Sequence, residues 1–361
     1  MQISLLRTFF HTLTQSCGIS RGDRIVVAVS GGPDSIALLH LLAGVQQQLQ
    51  LHLTVVWVDH GLRPEETPQE EAVVCAAAEK MRIPVVRHRV NAAACAAEQR
   101  LSLEHAARNL RYAALRATAQ EVQAQYIAVA HTADDQAEEI LLRLLRGSGR
   151  QGLAGMRMQS RDLIRPLLTV GKNELLVWLD KEQVTYCIDS SNNDLLFLRN
   201  RVRHQLLPFL EEHFDAGIRK SLRKTAASLA EDENLLAELT AEAERKVVKF
   251  VKIVRLDEAE QQEGPTVVQL LRRPFCDLQS ALQRRVIEQL LWQLGCRAKY
   301  DHILLIIKAA LSGRNNSELH LSRGLRVGVF RDRLEFSYPA GKRAWRGRLF
   351  RRTEAQEPPD L

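Results

Sequence analysis

The sequence lacks the residue spacings and apolar runs that mark several common classes of protein. Its six cysteines are scattered over 361 residues, and no two of them form a Cys-x-x-Cys pair. Neither a zinc site nor a disulfide framework is therefore indicated, and reduced thiols in the cytoplasm are the simpler interpretation. No stretch approaches the ~18 uninterrupted apolar residues of a membrane span. The first residues hold no long apolar segment of the signal-peptide kind, so we expect neither secretion nor a membrane partner.

Positive charge is concentrated rather than evenly spread. The formal net charge is +7 at pH 7, yet residues 323–352 alone contain ten Lys or Arg and only two acidic residues. A solvated basic face would explain one such cluster, but clustered cations also suit a phosphate backbone. A second cluster makes nucleic acid the favoured partner. It comprises Arg199, Arg201, Arg203, Arg219, Lys220, Arg223 and Lys224.

Apolar runs alternate with helical patterns in the first part of the sequence. Such alternation is typical of the α/β class, with a Rossmann-like parallel sheet covered by helices on both faces. Ligands of these sheets bind beyond the carboxyl ends of the strands. The apolar runs lie at residues 25–29, 53–58, 84–90 and 126–130, and the helical patterns at 35–49, 65–80 and 92–123.

The later part of the sequence is mainly helical in pattern and ends in an alternating segment. Residues 215–252 predict a linking helix, and residues 269–311 predict several helices with Gly295 and Gly313 as stops. Alternation over residues 318–336, interrupted at Arg331-Asp332, predicts a small β-hairpin. Further helices are expected at 172–182 and 196–214, around a polar turn at 189–194. We therefore predict an α/β domain at 1–214, a linker helix with a helical/β domain at 215–340, and a basic, then Pro-containing tail at 341–361.

A glycine turn joins the first apolar run to the first helical pattern. It reads Ser30-Gly31-Gly32-Pro33-Asp34-Ser35. Two glycines let the backbone approach a ligand closely, and the free amides at a helix start attract phosphate. The serine hydroxyls add donors, and Asp34 could hold a Mg²⁺ ion that bridges phosphate oxygens. The Gly-Lys-Ser/Thr of a Walker A loop does not follow, and an ordinary glycine turn is the alternative interpretation.

Residues able to do chemistry follow two other predicted strands. Asp59-His60-Gly61 comes after the second apolar run, where it either contacts a nucleotide or forms a turn. His131 follows the fourth run, where it either contacts a phosphate or closes the strand. The next helix carries Asp135 and Glu138 one turn apart on one face. A carboxylate there can orient an amine and accept its proton, and helix capping is the alternative role for Asp134-Asp135.

Four separated motifs resemble the tRNA(Ile)-lysidine synthetase family, which belongs to the PP-loop ATP pyrophosphatase superfamily. The resemblance spans residues 22–210 and is looser beyond residue 215. Besides the glycine turn, the motifs are Val58-Asp59-His60-Gly61-Leu62-Arg63, Arg108-Asn109-Leu110-Arg111-Tyr112, the segment from Ala130 to Gly149, and the segment from Asp189 to Pro208. Two departures lie near the chemistry: Glu139 stands where many members have threonine, and Thr132 stands where many have a second histidine.

The resemblance implies an N-type ATP pyrophosphatase fold and a two-step reaction on the tRNA(Ile) whose anticodon is CAU. The wobble cytidine is adenylated at its C2 oxygen with release of pyrophosphate. The ε-amino group of free lysine then attacks C2, and AMP leaves. ATP, Mg²⁺, L-lysine and this tRNA are the implied cofactors and substrates. The sequence leaves the oligomeric state open, with a homodimer as one option.

Three sets of site residues follow from the motifs. The predicted ATP-binding residues are Ser30, Gly31, Gly32, Pro33, Asp34, Ser35, Asp59 and His60. The predicted catalytic or lysine-binding residues are Asp34, His131, Asp135 and Glu138, and Asp34 is also the expected Mg²⁺ ligand. The predicted tRNA-binding residues are Arg143, Arg146, Arg199, Arg201 and Arg203.

Three alternatives remain at this level. A tRNA thiolase of the superfamily that acts on cytidine would need a Cys-x-x-Cys iron–sulfur site, which the sequence lacks. An amide-forming synthetase for a small molecule would have no need of the basic clusters. A catalytically silent RNA-binding protein on the same scaffold is opposed by the intact glycine turn together with Asp34 and Asp135.

Overall fold

A computed structural model describes residues 5–62, 65–188, 198–252 and 266–338. The chain divides into two compact units, Met1–Ala230 and Glu231–Leu361. The domain boundary expected after residue 214 stays a prediction. The polar turn expected at 189–194 and the tail expected at 341–361 lie outside the described residues.

The first unit is built around a six-stranded sheet. Its strand order is β3-β2-β1-β4-β6-β5, and all neighbouring strands are parallel except β5 and β6. The β-branched residues Ile25, Val26 and Val27 of β1 are fully buried, as expected for a central strand covered on both faces. The strands are β1 Arg24–Ala28, β2 His52–Asp59, β3 Val85–Arg89, β4 Tyr126–Ala128, β5 Gln159–Ser160 and β6 Leu163–Ile164.

Helices cover both faces of this sheet, so the predicted fold class is confirmed. Helices α1, α2, α3 and α8 share one apolar core with β1 and β2, whereas α5 packs on the opposite face. The helices are α1 Leu5–His11, α2 Pro33–Leu49, α3 Thr67–Lys80, α4 Ala92–Gln99, α5 Leu103–Glu121, α6 Ala133–Leu145, α7 Arg150–Leu153, α8 Lys172–Lys181, α9 Leu198–Arg201 and α10 Leu207–His213, with π-helical turns at Thr12–Ser16 and Val202–Leu206.

The order of the strands fixes where a ligand can bind. The chain leaves β1 toward β2 and β3 on one side, and β4 then pairs on the other side of β1. The carboxyl ends of β1 and β4 therefore flank the topological switch point, where open α/β sheets bind their ligands. The glycine turn follows β1, and His131 lies close after β4.

The prediction of one helix over residues 92–123 was wrong. The structure has two helices there, α4 and α5, separated by a short break. Arg100 ends α4 in the left-handed conformation, with φ of 54°. The Ser102 hydroxyl then accepts a hydrogen bond from the His105 amide at 3.3 Å and caps α5. The alanine-rich segments on both sides have high helix propensity, so the sequence pattern did not reveal the capping residue Ser102 between them.

The second unit contains a five-stranded antiparallel sheet, of which the predicted hairpin, β10–β11, forms one part. The strand order is β7-β8-β11-β10-β9. The elements are the helix α11 Ile218–Val247, which begins in the first unit, β7 Val248–Lys252, β8 Thr266–Leu271, α12 Arg272–Cys276, α13 Ser280–Gln293, α14 Tyr300–Ser312, β9 Ser317–His320, a 3₁₀ turn Ser322–Gly324, β10 Arg326–Val329 and β11 Arg333–Ser337.

A largely buried ion pair joins two helices of the second unit. Arg285 of α13 donates to both carboxylate oxygens of Glu233 and, through Nε, to the Thr240 hydroxyl at 2.9 Å. Glu233 is 1% exposed, so the bidentate geometry offsets much of its cost of burial. Within the four described stretches of the chain, no helix combines the length and the apolar composition needed to cross a membrane.

Candidate active site

The glycine turn after β1 is shaped by contacts within the loop and from two distant segments. Gly31 has a φ of 91°, which favours glycine, and a Cβ there would lie 3.4 Å from the Glu70 backbone oxygen. The Ser35 hydroxyl accepts from the Ser30 amide at 3.1 Å and donates to the Gly32 carbonyl at 2.9 Å. The Cys187 amide donates to the Gly31 carbonyl at 2.9 Å. These contacts therefore fix the conformation of the turn in the ligand-free protein.

Asp34 lies in the first turn of α2, directly beside this loop. Its Oδ1 is buried without a hydrogen-bond partner, and its Oδ2 lies 3.9 Å from Lys172 Nζ. Burial raises the pKa of Asp34 to about 6, and the negative charge of Asp135 adds to the increase, while Lys172 opposes it. A buried carboxylate oxygen without a partner is costly unless a cation or donor completes it. Mg²⁺ fits this position.

The amino acids that could hold such an ion are few. Within the residues that the structure describes, no group of three or more His, Cys, Asp or Glu side chains is arranged to hold a metal. Mg²⁺ is commonly bound by one or two carboxylates together with substrate phosphates, rather than by an all-protein cage. Asp34 is therefore suited to hold Mg²⁺ jointly with the phosphates of a nucleotide.

The start of α6 is tied to the start of α8. Thr132 and Asp135 form a capping box, in which the Asp135 carboxylate accepts from both the Thr132 amide and hydroxyl at 2.8 Å. The Asp134 carboxylate accepts from the Lys172 amide at 2.8 Å. Helices α2, α6 and α8 therefore begin close together at the switch point, and their positive dipole ends favour an anion.

Arginines and carboxylates of distant segments pair beside this point. Arg203 donates through Nε to Glu138 Oε1 at 2.6 Å and through Nη2 to Asp135 Oδ1 at 3.1 Å. Arg199 adds a bond from Nε to Glu138 Oε2 at 3.3 Å. Burial raises the pKa of Asp135, but the neighbouring groups, including the two guanidinium groups, lower it by more. The pKa of this carboxyl therefore lies below its usual value. Glu138 is 1% exposed, so its charge depends on these arginines.

His131 faces the same region in its neutral form. Arg165 Nε donates to His131 Nδ1 at 3.2 Å, which makes Nδ1 an acceptor and assigns the ring proton to Nε2. Burial lowers the pKa of His131, and although the negative charge of Asp135 opposes this, the charges of Arg165, Arg111 and Arg199 lower it further. The Nε of Arg111 is buried without a hydrogen-bond partner. This side of the site is therefore suited to bind an anionic group.

The structure separates the five predicted tRNA-binding arginines into two groups. Arg146 and Arg201 are exposed. Arg143 donates to Glu139 Oε1 at 2.8 Å, whereas Arg199 and Arg203 pair with the carboxylates of α6 as described. Of the two departures from the family pattern, Glu139 is thus held in place by an ion pair, and Thr132 caps α6. A contact of these arginines with tRNA stays a prediction.

The remaining predicted residues lie at the end of β2, next to β1. Asp59 is the last residue of β2, and its Oδ1 accepts from the Gly61 amide at 2.8 Å, which forms a turn. His60 follows directly. Both residues are therefore at the same edge of the sheet as the glycine turn, where a nucleotide contact stays a prediction.

Three residues of the site were missed at the sequence level. Arg111 lies inside one of the motifs, and Arg165 and Lys172 lie outside them. The sequence patterns indicate a role for none of the three. The available signals were weak: Arg165 directly follows a short apolar run, and Lys172 follows a glycine at the start of a helical pattern.

A glycine turn at the switch point of a parallel sheet, with a partly buried carboxylate beside it, defines a nucleotide-binding α/β protein of the PP-loop class. The family model described as a PP-loop domain matches residues 5–210. The solved structure of the U34-tRNA thiolase NcsA from Methanococcus maripaludis is similar, with a TM-score of 0.53 and 17% identity over 62% of this chain and 78% of that chain. At this identity the likeness shows the fold alone.

Curated relatives narrow the class. The chain is 38% identical to a tRNA(Ile)-lysidine synthase of Geobacter sulfurreducens, over 85% of this chain and 63% of the relative. It is 35% identical to that of Symbiobacterium thermophilum, over 88% and 65%, and 31% identical to that of Geobacillus kaustophilus, over 94% and 71%. The chain belongs to the tRNA(Ile)-lysidine synthase family of PP-loop proteins. It spans a little under two thirds of the length of the first two relatives.

Proposed function

We propose that this chain makes lysidine in tRNA(Ile), by adenylating the wobble cytidine of the CAU anticodon and then joining free lysine to it. One observation carries the proposal: the phosphate loop with Asp34 and the carboxylate pair Asp135 and Glu138 converge on one edge of the sheet. An ATP site and an amine-binding site must meet at one base for this reaction. The free state of all six cysteines supports a cytoplasmic location.

The first step needs a held triphosphate and a good leaving group. The helix starts of α2, α6 and α8 bind phosphate oxygens through amides and dipoles. The neutral His131 donates from Nε2 to a phosphate oxygen, and Asp34 would hold Mg²⁺. Bound Mg²⁺ supplies charge neutralisation to the phosphates. The cytidine C2 oxygen becomes bonded to AMP, which leaves far more readily than an unmodified carbonyl oxygen.

The second step needs a lysine whose amine is neutral when it attacks. Free lysine has a pKa of ~10.4, so presenting the neutral amine at pH 7 costs about 4.6 kcal/mol. Asp135 is held charged by its neighbours, which makes it a strong binding group for the incoming ammonium and a weak acceptor of its proton. We therefore assign Asp135, with Glu138 one turn later, to binding and orienting the lysine side chain.

The experiment that tests this function is mass spectrometry of the wobble nucleoside. CAU-anticodon tRNA(Ile) is incubated with the protein, ATP, Mg²⁺ and lysine, and each component is omitted in turn. We expect cytidine to be replaced by lysidine only in the complete mixture, with pyrophosphate released only when the tRNA is present. Equal pyrophosphate release without tRNA would instead favour a small-molecule synthetase.

Replacing Asp135 by Asn should impair the use of lysine more than the use of ATP. Loss of its charge removes the partner of the lysine ammonium, so we expect the KM for lysine to rise by about tenfold to a hundredfold. Steady-state titration of lysine measures this change, and tRNA-dependent pyrophosphate release monitors the first step. The Asp180→Asn variant, at an exposed position of α8, is the matched control. An unchanged KM for lysine would refute the assignment.

Replacing Arg146 and Arg201 by Gln should weaken tRNA binding and its dependence on salt. Both side chains are exposed, and each lies within three residues of an arginine that pairs with a carboxylate of α6. Each lost phosphate contact lowers the slope of log K against log salt by about 0.7–0.9. Filter binding from low to high salt measures the slope. Arg21→Gln, exposed before the amino end of β1, should leave it unchanged; an equal effect there would indicate a general charge effect.

A further inference from the structure

Lys172 presents a cation to the phosphate loop from outside the motifs that define it. It is the first residue of α8, and its Nζ lies 3.9 Å from Asp34 Oδ2. A second contact fixes its backbone, because its amide donates to the Asp134 carboxylate at 2.8 Å. The side chain is about one third exposed, so the ammonium is open to a ligand on one side.

The position of Lys172 is unfavourable for the helix that carries it. A cation in the first turn of a helix is repelled by the positive end of the macrodipole, whereas Asp and Glu are favoured there. The residue that caps α8 is Gly171, which has no side chain to accept a hydrogen bond from the first amides and so offset this repulsion. The ammonium therefore adds to the positive ends of α2 and α8, and Asp34 is the carboxylate that it faces.

We propose that Lys172 binds the β- and γ-phosphates of ATP and stabilises the pyrophosphate as it departs. This inference rests on the proposed function. In the ligand-free protein Lys172 partly neutralises Asp34. With ATP bound, Asp34 would hold Mg²⁺, and Lys172 exchanges its carboxylate partner for phosphate oxygens.

The step in which Lys172 acts transfers the adenylyl group. The cytidine C2 oxygen forms a bond to the α-phosphorus, and the bond from the α-phosphorus to the oxygen bridging the α- and β-phosphates breaks. That oxygen keeps the electron pair and leaves with the pyrophosphate. Lys172 transfers no proton; its ammonium donates hydrogen bonds to oxygens whose negative charge grows in the transition state.

The test compares Lys172→Met with Lys172→Arg and Lys181→Met. The Met variant removes the charge and keeps the length of the side chain, the Arg variant keeps the charge, and Lys181 is an exposed lysine in the last turn of the same helix. Dissociation constants are measured by calorimetry for inorganic pyrophosphate, for a non-hydrolysable ATP analogue with Mg²⁺, and for AMP.

We expect Lys172→Met to weaken binding of pyrophosphate and of the ATP analogue about tenfold to a hundredfold, and to leave AMP binding unchanged. The kcat of tRNA-dependent pyrophosphate release should fall by at least a similar factor. Lys172→Arg should retain most of both, and Lys181→Met should match the wild type. Unchanged pyrophosphate affinity in Lys172→Met, or an equal loss of AMP affinity, would overturn the proposal.

Two measurements keep the result interpretable. Fluorescence of Trp178, which lies in α8 with its ring 6.5 Å from that of His40, reports whether the helix is in place in each variant. Because the chain has four tryptophans, the Trp178 signal is taken as the difference from a matched Trp178→Phe protein. Lys172→Gln supplies a second charge-free side chain if the Met variant changes this signal. A wild-type protein that makes no lysidine would defeat the proposed function, whereas the comparison of pyrophosphate affinities would still decide the role of Lys172.

Discussion

Replacing Asp34 by Asn should make the ligand-free protein more stable and abolish its proposed activity. Burial raises the pKa of Asp34 from 3.8 to about 6, so above pH 6 the folded protein carries a charge that it holds at a cost. The neutral amide removes that cost, and we expect a gain of about 3 kcal/mol in the free energy of unfolding at pH 8. Pyrophosphate release should fall by at least about a hundredfold, because the ligand for Mg²⁺ is lost.

The sign of the pH dependence gives the sharper measurement. A carboxyl whose folded-state pKa is raised binds extra protons in the folded state between pH 3.8 and 6, so its contribution to stability falls as the pH rises through that window. The difference between Asp34→Asn and wild type, from urea unfolding, should therefore be small near pH 4 and full by pH 8. Asp180→Asn should show no such trend, and wild-type pyrophosphate release by Asp34→Asn would contradict the assignment.

Replacing Arg203 by Met should destabilise the first unit by about 3 kcal/mol and, because Asp135 is then less firmly positioned, impair the use of lysine. The change leaves Glu138, which is 1% exposed, without its closest guanidinium. Breaking a buried pair by removing one partner is costly because the remaining charge is uncompensated. Asp135 loses a partner in the same variant. Thermal or urea unfolding and the KM for lysine measure the two effects.

The chain offers a matched control two residues away. Arg201 is exposed, so Arg201→Met should change stability by no more than about 0.5 kcal/mol. A double variant, Arg203→Met with Glu138→Gln, removes the buried charge as well and should recover a large part of the lost stability. Equal destabilisation by Arg201→Met, or no recovery in the double variant, would show that the ion pair is not the cause.

The parts of the site that depend on neighbouring residues could be predicted from the sequence. The glycine turn, the strand before it and the helix after it were predicted because β-branched residues, two glycines and a proline act locally. The parallel sheet followed from the alternation of strands and helices, as did the position of the turn at the edge of the sheet, whereas the strand order comes from the structure.

The charge pairing could not be predicted in this way. Glu138 meets Arg203, and Asp34 meets Lys172, only because the fold brings together segments that are distant in the sequence. The sequence offered helix capping as an alternative role for Asp135, and the structure has that capping box, but the pairing of the same carboxylate with Arg203 was not foreseen. In the second unit, the strand β7 directly follows a 30-residue helix. Its alternation is too short to separate from the helical pattern, so the sequence predicted one helix over residues 215–252.

The hydrogen bond between Cys187 and Gly31 has a consequence for the order in which the protein is assembled. The loop after β1 accepts a hydrogen bond from the amide of Cys187. That residue is synthesised long after the parallel strands β1–β4 are complete. During synthesis, strands β1–β4 can therefore form before the Cys187 amide is available to bond the phosphate loop. An N-terminal fragment that stops before Cys187 therefore lacks this hydrogen bond to the phosphate loop and keeps only the bonds within the loop.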